Sequence, residues 1–227
     1  MREVFRLTEW IKRLVSLMWG LFIFSSGLLL TIQANLGVAP WDAFHLGVVN
    51  HSSLTIGRVS QLTGLSLIIL CTLLREKPGW GTLANMYFVG FFLDLLNDAG
   101  IIPQAHNLWT GLVMLLMGIG LIGWGSFFYL NAGLGSGPRD GLMMALNRIS
   151  GIEIWMARMA IEVSVLILGY LLGGPVGLGT AITALCIGPS VQLAYTIAKQ
   201  EPSAISHRTL ADDYRALKAR AAGRSLG

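Results

Sequence analysis

Charge is scarce in this chain. Asp, Glu, Lys and Arg make up 12% of its 227 residues, against roughly 25% in a soluble globular domain. So few charges cannot solvate a whole surface, and much of that surface must face something other than water. Cysteine is scarcer still. Cys71 and Cys186 lie far apart in apolar stretches, which excludes a disulfide framework or zinc spacing and leaves two buried, inert thiols. Also missing are a GK[ST] phosphate loop, an HExxH helix, clustered carboxylates and a Ser/His/Asp set. Without these the sequence offers no catalytic machinery and no cofactor cradle. The expectation is a protein that is not an enzyme and holds no cofactor or metal.

What fills the chain is apolar: 54% hydrophobic residues and a mean hydropathy of +0.64. Six segments come near the ~20 residues that cross a ~30 Å hydrocarbon core: 14–33, 54–74, 80–97, 109–130, 153–173 and 178–198. They lack the polar face that a water-soluble helix shows every turn. The first is longer than the roughly 7–15 residues of a signal-peptide core and is followed by no small-x-small cleavage site. The composition therefore predicts an all-α polytopic membrane protein with the lipid bilayer as its main partner.

Lys and Arg decide the orientation. With a cytoplasmic N-terminus, the inside segments are 1–13, 75–79, 131–152 and the tail from 199 to 227, and they hold 14 of the 16 Lys and Arg. Arg158, one turn inside its helix, can snorkel to the same side, which leaves Arg58 alone outside. Both termini are thus expected in the cytoplasm. The same bias explains the net charge of +4 without a nucleic-acid partner.

The sequence also repeats itself at an offset of 98 without a gap. Pro40 and Asp42 match Pro138 and Asp140, Gly20 and Gly27 match Gly118 and Gly125, and Gly79, Gly81 and Thr82 match Gly177, Gly179 and Thr180. Each copy holds three spans, at 14–98 and 109–198, joined by an outer loop at 99–108. An odd number of spans makes consecutive copies enter the membrane from opposite sides, as inverted repeats. The internal counterpart also argues that the first span is retained.

Between the first and second span of each copy lies a paired motif, ANLGVAPWDAFHLGV (34–48) and AGLGSGPRDGLMMAL (132–146). Gly37 and Gly135 suit a left-handed terminator, and Pro40 and Pro138 suit a first helical position. Asp42 and Asp140 then fall third in the helix, where a carboxylate accepts from orphan backbone N–H groups. Residues 40–50 make only about 16 Å of helix at 1.5 Å per residue, too short to span. Each short helix is therefore interfacial or re-entrant, and each Asp either caps it or belongs to a tip that binds an anion. The copies differ in chemistry: Trp41 becomes Arg139, and His45, one turn from Asp42, becomes Met143.

Ionisable groups inside spans point to function by default. Arg158 and Glu162, four apart on one face, can pair. Asp94 sits near the outer end of its span, where solvation is expected, and Gln61, Thr63, Asn85 and Gln192 add hydrogen-bonding capacity. Gly118, Gly120, Gly123 and Gly125, with Gly20 and Gly27, suit close helix packing. Pro189 predicts a kink, and the polar tail leaves room for one helix at 208–222. The candidate pathway residues are Asp42, His45, Asp140, Arg139, Arg158 and Glu162.

The motifs NLGVAPWDAF, GLGSGPRDGL, the IEV that follows Arg158, and GGPVGLGT resemble the YczE/YyaS/YitT-type bacterial membrane proteins, YczE-like branch, from about residue 14 to 198. The resemblance implies a place in the bacterial cytoplasmic membrane and regulatory or transport roles, and it brings no catalytic residues. Three classes stay open. The lead is a small-molecule transporter or permease, since inverted repeats with interrupted segments suit alternating access. A membrane-embedded regulatory or scaffold protein docking through its tail comes second, and an intramembrane enzyme third. The identity of the small molecule and any homo-oligomer are left open.

Overall fold

The structure is a computed structural model, described here over residues 7–200. Eight helices follow one another, and no strand occurs among the described residues. They are α1 (Leu7–Gln33), α2 (Pro40–Asn50), α3 (Ile56–Leu73), α4 (Trp80–Asp98), α5 (Leu108–Asn131), α6 (Pro138–Ser150), α7 (Ile154–Leu171) and α8 (Leu178–Ile197). The starts of α2, α3 and α4 and those of α6, α7 and α8 differ by 98. The helix expected at 208–222 lies outside the described residues.

Five helices, α1, α3, α5, α7 and α8, are long and apolar enough to cross a membrane. The sixth expected span is present as α4 but is not among them. Thr82, Asn85, Asp94, Asn97 and Asp98 dilute its apolar run. At its N-terminal end α1 begins at Leu7, inside the segment expected to precede the first span. The helix runs through the basic entry, and within it Arg13 reaches across to the C-terminal end of α5, where its guanidinium donates to the Ala132 carbonyl at 3.1 Å.

The centre of the molecule is the α1–α5 pair, the most intimate helix contact in the fold. Glycine makes that approach possible. A Cβ on Gly20 would lie 2.5 Å from the Tyr129 nitrogen, and one on Gly27 would lie 2.7 Å from the Gly118 carbonyl. Gly118 and Gly125 are as crowded, and Gly123 meets Ser190 of α8. Gly120 departs from the expectation of packing: no atom lies within 4 Å of a Cβ built there.

Around this pair the two copies exchange partners. The short helix α2 packs on α7, and α6 packs on α3. The preceding loops do the same: Gly179 at the start of α8 donates to the Leu36 carbonyl at 2.6 Å, and Gly81 at the start of α4 donates to Leu134 at 2.7 Å. Such contacts need bare backbone. Gly37 and Gly135 have positive φ, 93° and 129°, as expected, but α1 and α5 have already ended at Gln33 and Asn131, with Asn35 and Gly133 (φ 55° and 66°) as the first left-handed residues beyond them. A Cβ on Gly179 would sit 2.3 Å from the Gly37 carbonyl. The paired GxGT motifs supply the other half of each joint. Thr82 and Thr180 accept from the amides of Gly79 and Gly177, and the Thr82 hydroxyl donates to the Ser136 carbonyl at 2.6 Å.

This exchange sets the direction of the short helices. The C-terminal end of α2 meets the α7–α8 turn, where the Asn50 amide donates to Gly173 at 3.0 Å. The end of α6 meets the α3–α4 turn, where Arg148 pairs with Glu76 at 3.0 Å and donates to the Leu74 carbonyl. Their N-terminal tips meet each other in the interior, and the helices run from there to opposite ends of the bundle. In both copies the tip of the short helix lies in the interior of the bundle.

Candidate functional site

Where the tips of α2 and α6 meet, the bundle holds a cavity of about 320 Å³. All six candidate residues line it: Asp42 and His45 from α2, Arg139 and Asp140 from α6, and Arg158 and Glu162 from α7. Every charged side chain in its wall is one of these. Two of them had no sequence-local reason to meet. Arg139 and Trp41, aligned positions of the two copies, face each other across the junction, with the guanidinium carbon 4.8 Å from the centre of the Trp41 ring. A cation over an indole face is worth about 0.5–2 kcal/mol, more as water is excluded. From that perch Arg139 lies within electrostatic reach of Asp42, Glu162 and Asp140.

The matched aspartates diverge. Asp140 behaves as a cap: its Oδ2 accepts from the Gly137 amide at 3.2 Å, satisfying a backbone donor at the start of α6. Asp42 occupies the same helical position, yet no side chain caps α2. It is 1% exposed, its Oδ2 has no hydrogen-bond partner, and its Oδ1 lies 3.9 Å from His45 Nδ1. His45 is likewise 1% exposed, and its Nε2 lacks a partner. Leaving such groups unpaired costs roughly 1–3 kcal/mol each, more for a charge, so their place in a cavity wall is informative. The capping expectation thus holds for Asp140 and fails for Asp42, whose carboxylate does not meet the end of its own helix.

Arg158 and Glu162 pair as their spacing predicts, Nε to Oε1 at 3.3 Å. Both remain partly exposed. Asp94, by contrast, is not simply solvated. It accepts from the Gly57 amide at 2.8 Å and from the Thr55 hydroxyl at 2.5 Å, so it ties the end of α4 to the start of α3. The sequence reading missed the neutral polar groups of Ser126, Tyr129 and Thr183 in the cavity wall. Ser126 and Thr183 sit within otherwise apolar spans, the one signal that could have flagged them. Among the described residues no three His, Cys, Asp or Glu side chains converge as a metal-ligand set.

A model of a family of unknown function, DUF6198, matches residues 11–196. The chain belongs to that family. It is 37% identical over 171 residues to the uncharacterized membrane protein YczE of Bacillus subtilis, covering 74% of this chain and 79% of that one. An uncharacterized protein of Haemophilus influenzae is 35% identical over 191 residues, 84% of this chain and 87% of the other. The uncharacterized protein YyaS of Bacillus subtilis is 32% identical over 171 residues, 74% of this chain and 85% of its own. No solved structure matches the chain. The resemblance carried by the paired motifs is therefore a family relationship, and it agrees with the apolar helices in making this a membrane protein.

Proposed function

We propose that this DUF6198 protein is a small-molecule transporter of the bacterial cytoplasmic membrane, with both termini in the cytoplasm and six spans arranged as two inverted three-helix repeats. One observation carries the reading: a cavity lies where the tips of the two short helices α2 and α6 meet, and it gathers every candidate charge. Interrupted helices meeting at a site between repeats are the arrangement in which one repeat can rock against the other around a fixed solute.

The two repeats are also caught in different poses, which supports alternation. In the first, α3 and α4 pack closely, with a Cβ on Gly57 falling 2.1 Å from the Gly90 carbonyl, and Asp94 fastens their ends. In the second, the corresponding α7 and α8 barely touch, and Gly188, which aligns with Gly90, meets nothing within 4 Å. With cytoplasmic termini, the closed pair faces outward and the parted pair inward, so the cavity opens to the cytoplasm. The reciprocal state closes α7 on α8 and parts α3 from α4.

Uptake or efflux in reconstituted vesicles, screened against a metabolite panel, tests this. A solute crossing at a rate above protein-free vesicles supports the reading, and a panel of cations, anions and neutral solutes that all fail to cross refutes it.

A further inference from the structure

The chemistry of the cavity narrows what it binds. We infer that its ligand is a small organic cation whose ammonium is received by the unpartnered Oδ2 of Asp42. This deepens, and rests on, the reading of the cavity as the solute site.

The wall carries three carboxylates, Asp42, Asp140 and Glu162, against two guanidiniums, Arg139 and Arg158. The second guanidinium is held by Glu162 at 3.3 Å, and the first is stacked on Trp41 within reach of all three carboxylates. Counted as ionised groups, the three carboxylates exceed the two guanidiniums by one, so the wall favours a cation. Asp140 is engaged by the Gly137 amide. Asp42 is the fully buried carboxylate of the three, at 1% exposure, and its Oδ2 lacks a donor. The positive ends of α2 and α6 ease the burial of the two aspartates in their first turns, but they bring no donor to Oδ2.

A protonated amine supplies both missing things, a positive charge and N–H donors. It also leaves a second contact for His45, whose unpartnered Nε2 stands on the next turn and can accept one of the ammonium hydrogens when Nδ1 carries the imidazole proton. Ser126 and the Tyr129 hydroxyl remain for the polar substituents of the solute, and Thr183 Oγ1, which donates to the Gly179 and Thr180 carbonyls, can still accept. A bare proton on Asp42 has the same chemistry in its smallest form, and the experiment separates the two.

The full-length protein in lipid nanodiscs is titrated with matched probes of one size, benzylammonium, benzyl alcohol and benzoate, together with methylammonium and agmatine. At least one cation is expected to bind, with benzyl alcohol and benzoate at least tenfold weaker than benzylammonium if the aryl probe fits. Asp42→Asn should lower cation affinity about 10- to 100-fold, the range that one charge-assisted hydrogen bond commands, and Asp42→Glu should recover part of it. Should Asp42→Asn not assemble, the Asp42→Glu and His45→Gln variants carry the test, each expected to weaken cation binding. Binding of benzoate in preference to the amines, or binding of no amine, overturns the inference. So does proton-driven uptake of a neutral probe that Asp42→Asn abolishes, since Asp42 then receives only a proton. Cation binding without passage across vesicles would uphold the inference and sink the transporter reading. Asp42-independent passage of an anion would do the reverse.

Discussion

At the scale of single residues, the instructive pair is Asp42 and Asp140. They share a motif and a helical position, yet one caps its helix and the other lies buried with a free oxygen. Burying an unpaired charge for the sake of a ligand trades stability for binding. Asp42→Asn should therefore raise the thermal midpoint of the ligand-free protein, by on the order of 2–4 °C per kcal/mol recovered, while impairing solute binding. Asp140→Ala should do the opposite to stability, costing about 1 kcal/mol through the lost cap. Differential scanning fluorimetry of the two variants side by side reads both signs, and a loss of stability in Asp42→Asn would contradict this account. The sequence revealed that the two positions correspond. It could not reveal their divergence, because that lies in the tertiary surroundings, where Asp42 is buried without a donor to Oδ2 and Asp140 keeps the Gly137 amide.

At the scale of elements, much was legible and for identifiable reasons. Pro40, Pro138 and the GxGT motifs mark helix starts through local chemistry, and α2, α4, α6 and α8 begin at or next to those residues. Why the short helices point inward was not legible, since it follows from loops docking on the other copy through Leu36–Gly179 and Leu134–Gly81. Gly179→Val should be severe, because its Cβ has only 2.3 Å to the Gly37 carbonyl. Loss of folded, monodisperse protein in size-exclusion chromatography is the expected outcome, whereas Gly120→Ala, in open space, should leave the elution profile unchanged. Asp94 offers a gentler probe. Asp94→Ala removes the acceptor of the Gly57 amide, so hydrogen exchange at residues 57–60 should quicken while the amides of α5 keep their protection. Equal protection in variant and wild type would show that Asp94 does not hold α3 to α4.

At the scale of the molecule, duplication explains both the shared cavity and its asymmetry. Two equivalent sets of helices exchange partners around α1 and α5, and the site forms only where their tips meet, so neither copy can build it alone. On the proposed alternation, the difference between the packed α3–α4 pair and the parted α7–α8 pair is one pose of two. The proposed orientation rests on where the charges lie. A cysteine at position 76 or 148 should be labelled by an impermeant maleimide only from the cytoplasmic side, and one at 50 or 173 only from outside, in a background with Cys71 and Cys186 replaced by Ser. Labelling of both pairs from one side would rule out the inverted arrangement.

The central claim is that solutes pass through the cavity at the junction of α2 and α6. It is tested most directly by timed uptake of a radiolabelled metabolite panel into vesicles containing the purified wild-type protein or Asp42→Asn at equal density. The account predicts that at least one solute enters faster than in protein-free vesicles and that Asp42→Asn cuts its rate at least tenfold. Rates that match protein-free vesicles across the panel, or a transported solute indifferent to Asp42→Asn, would contradict it.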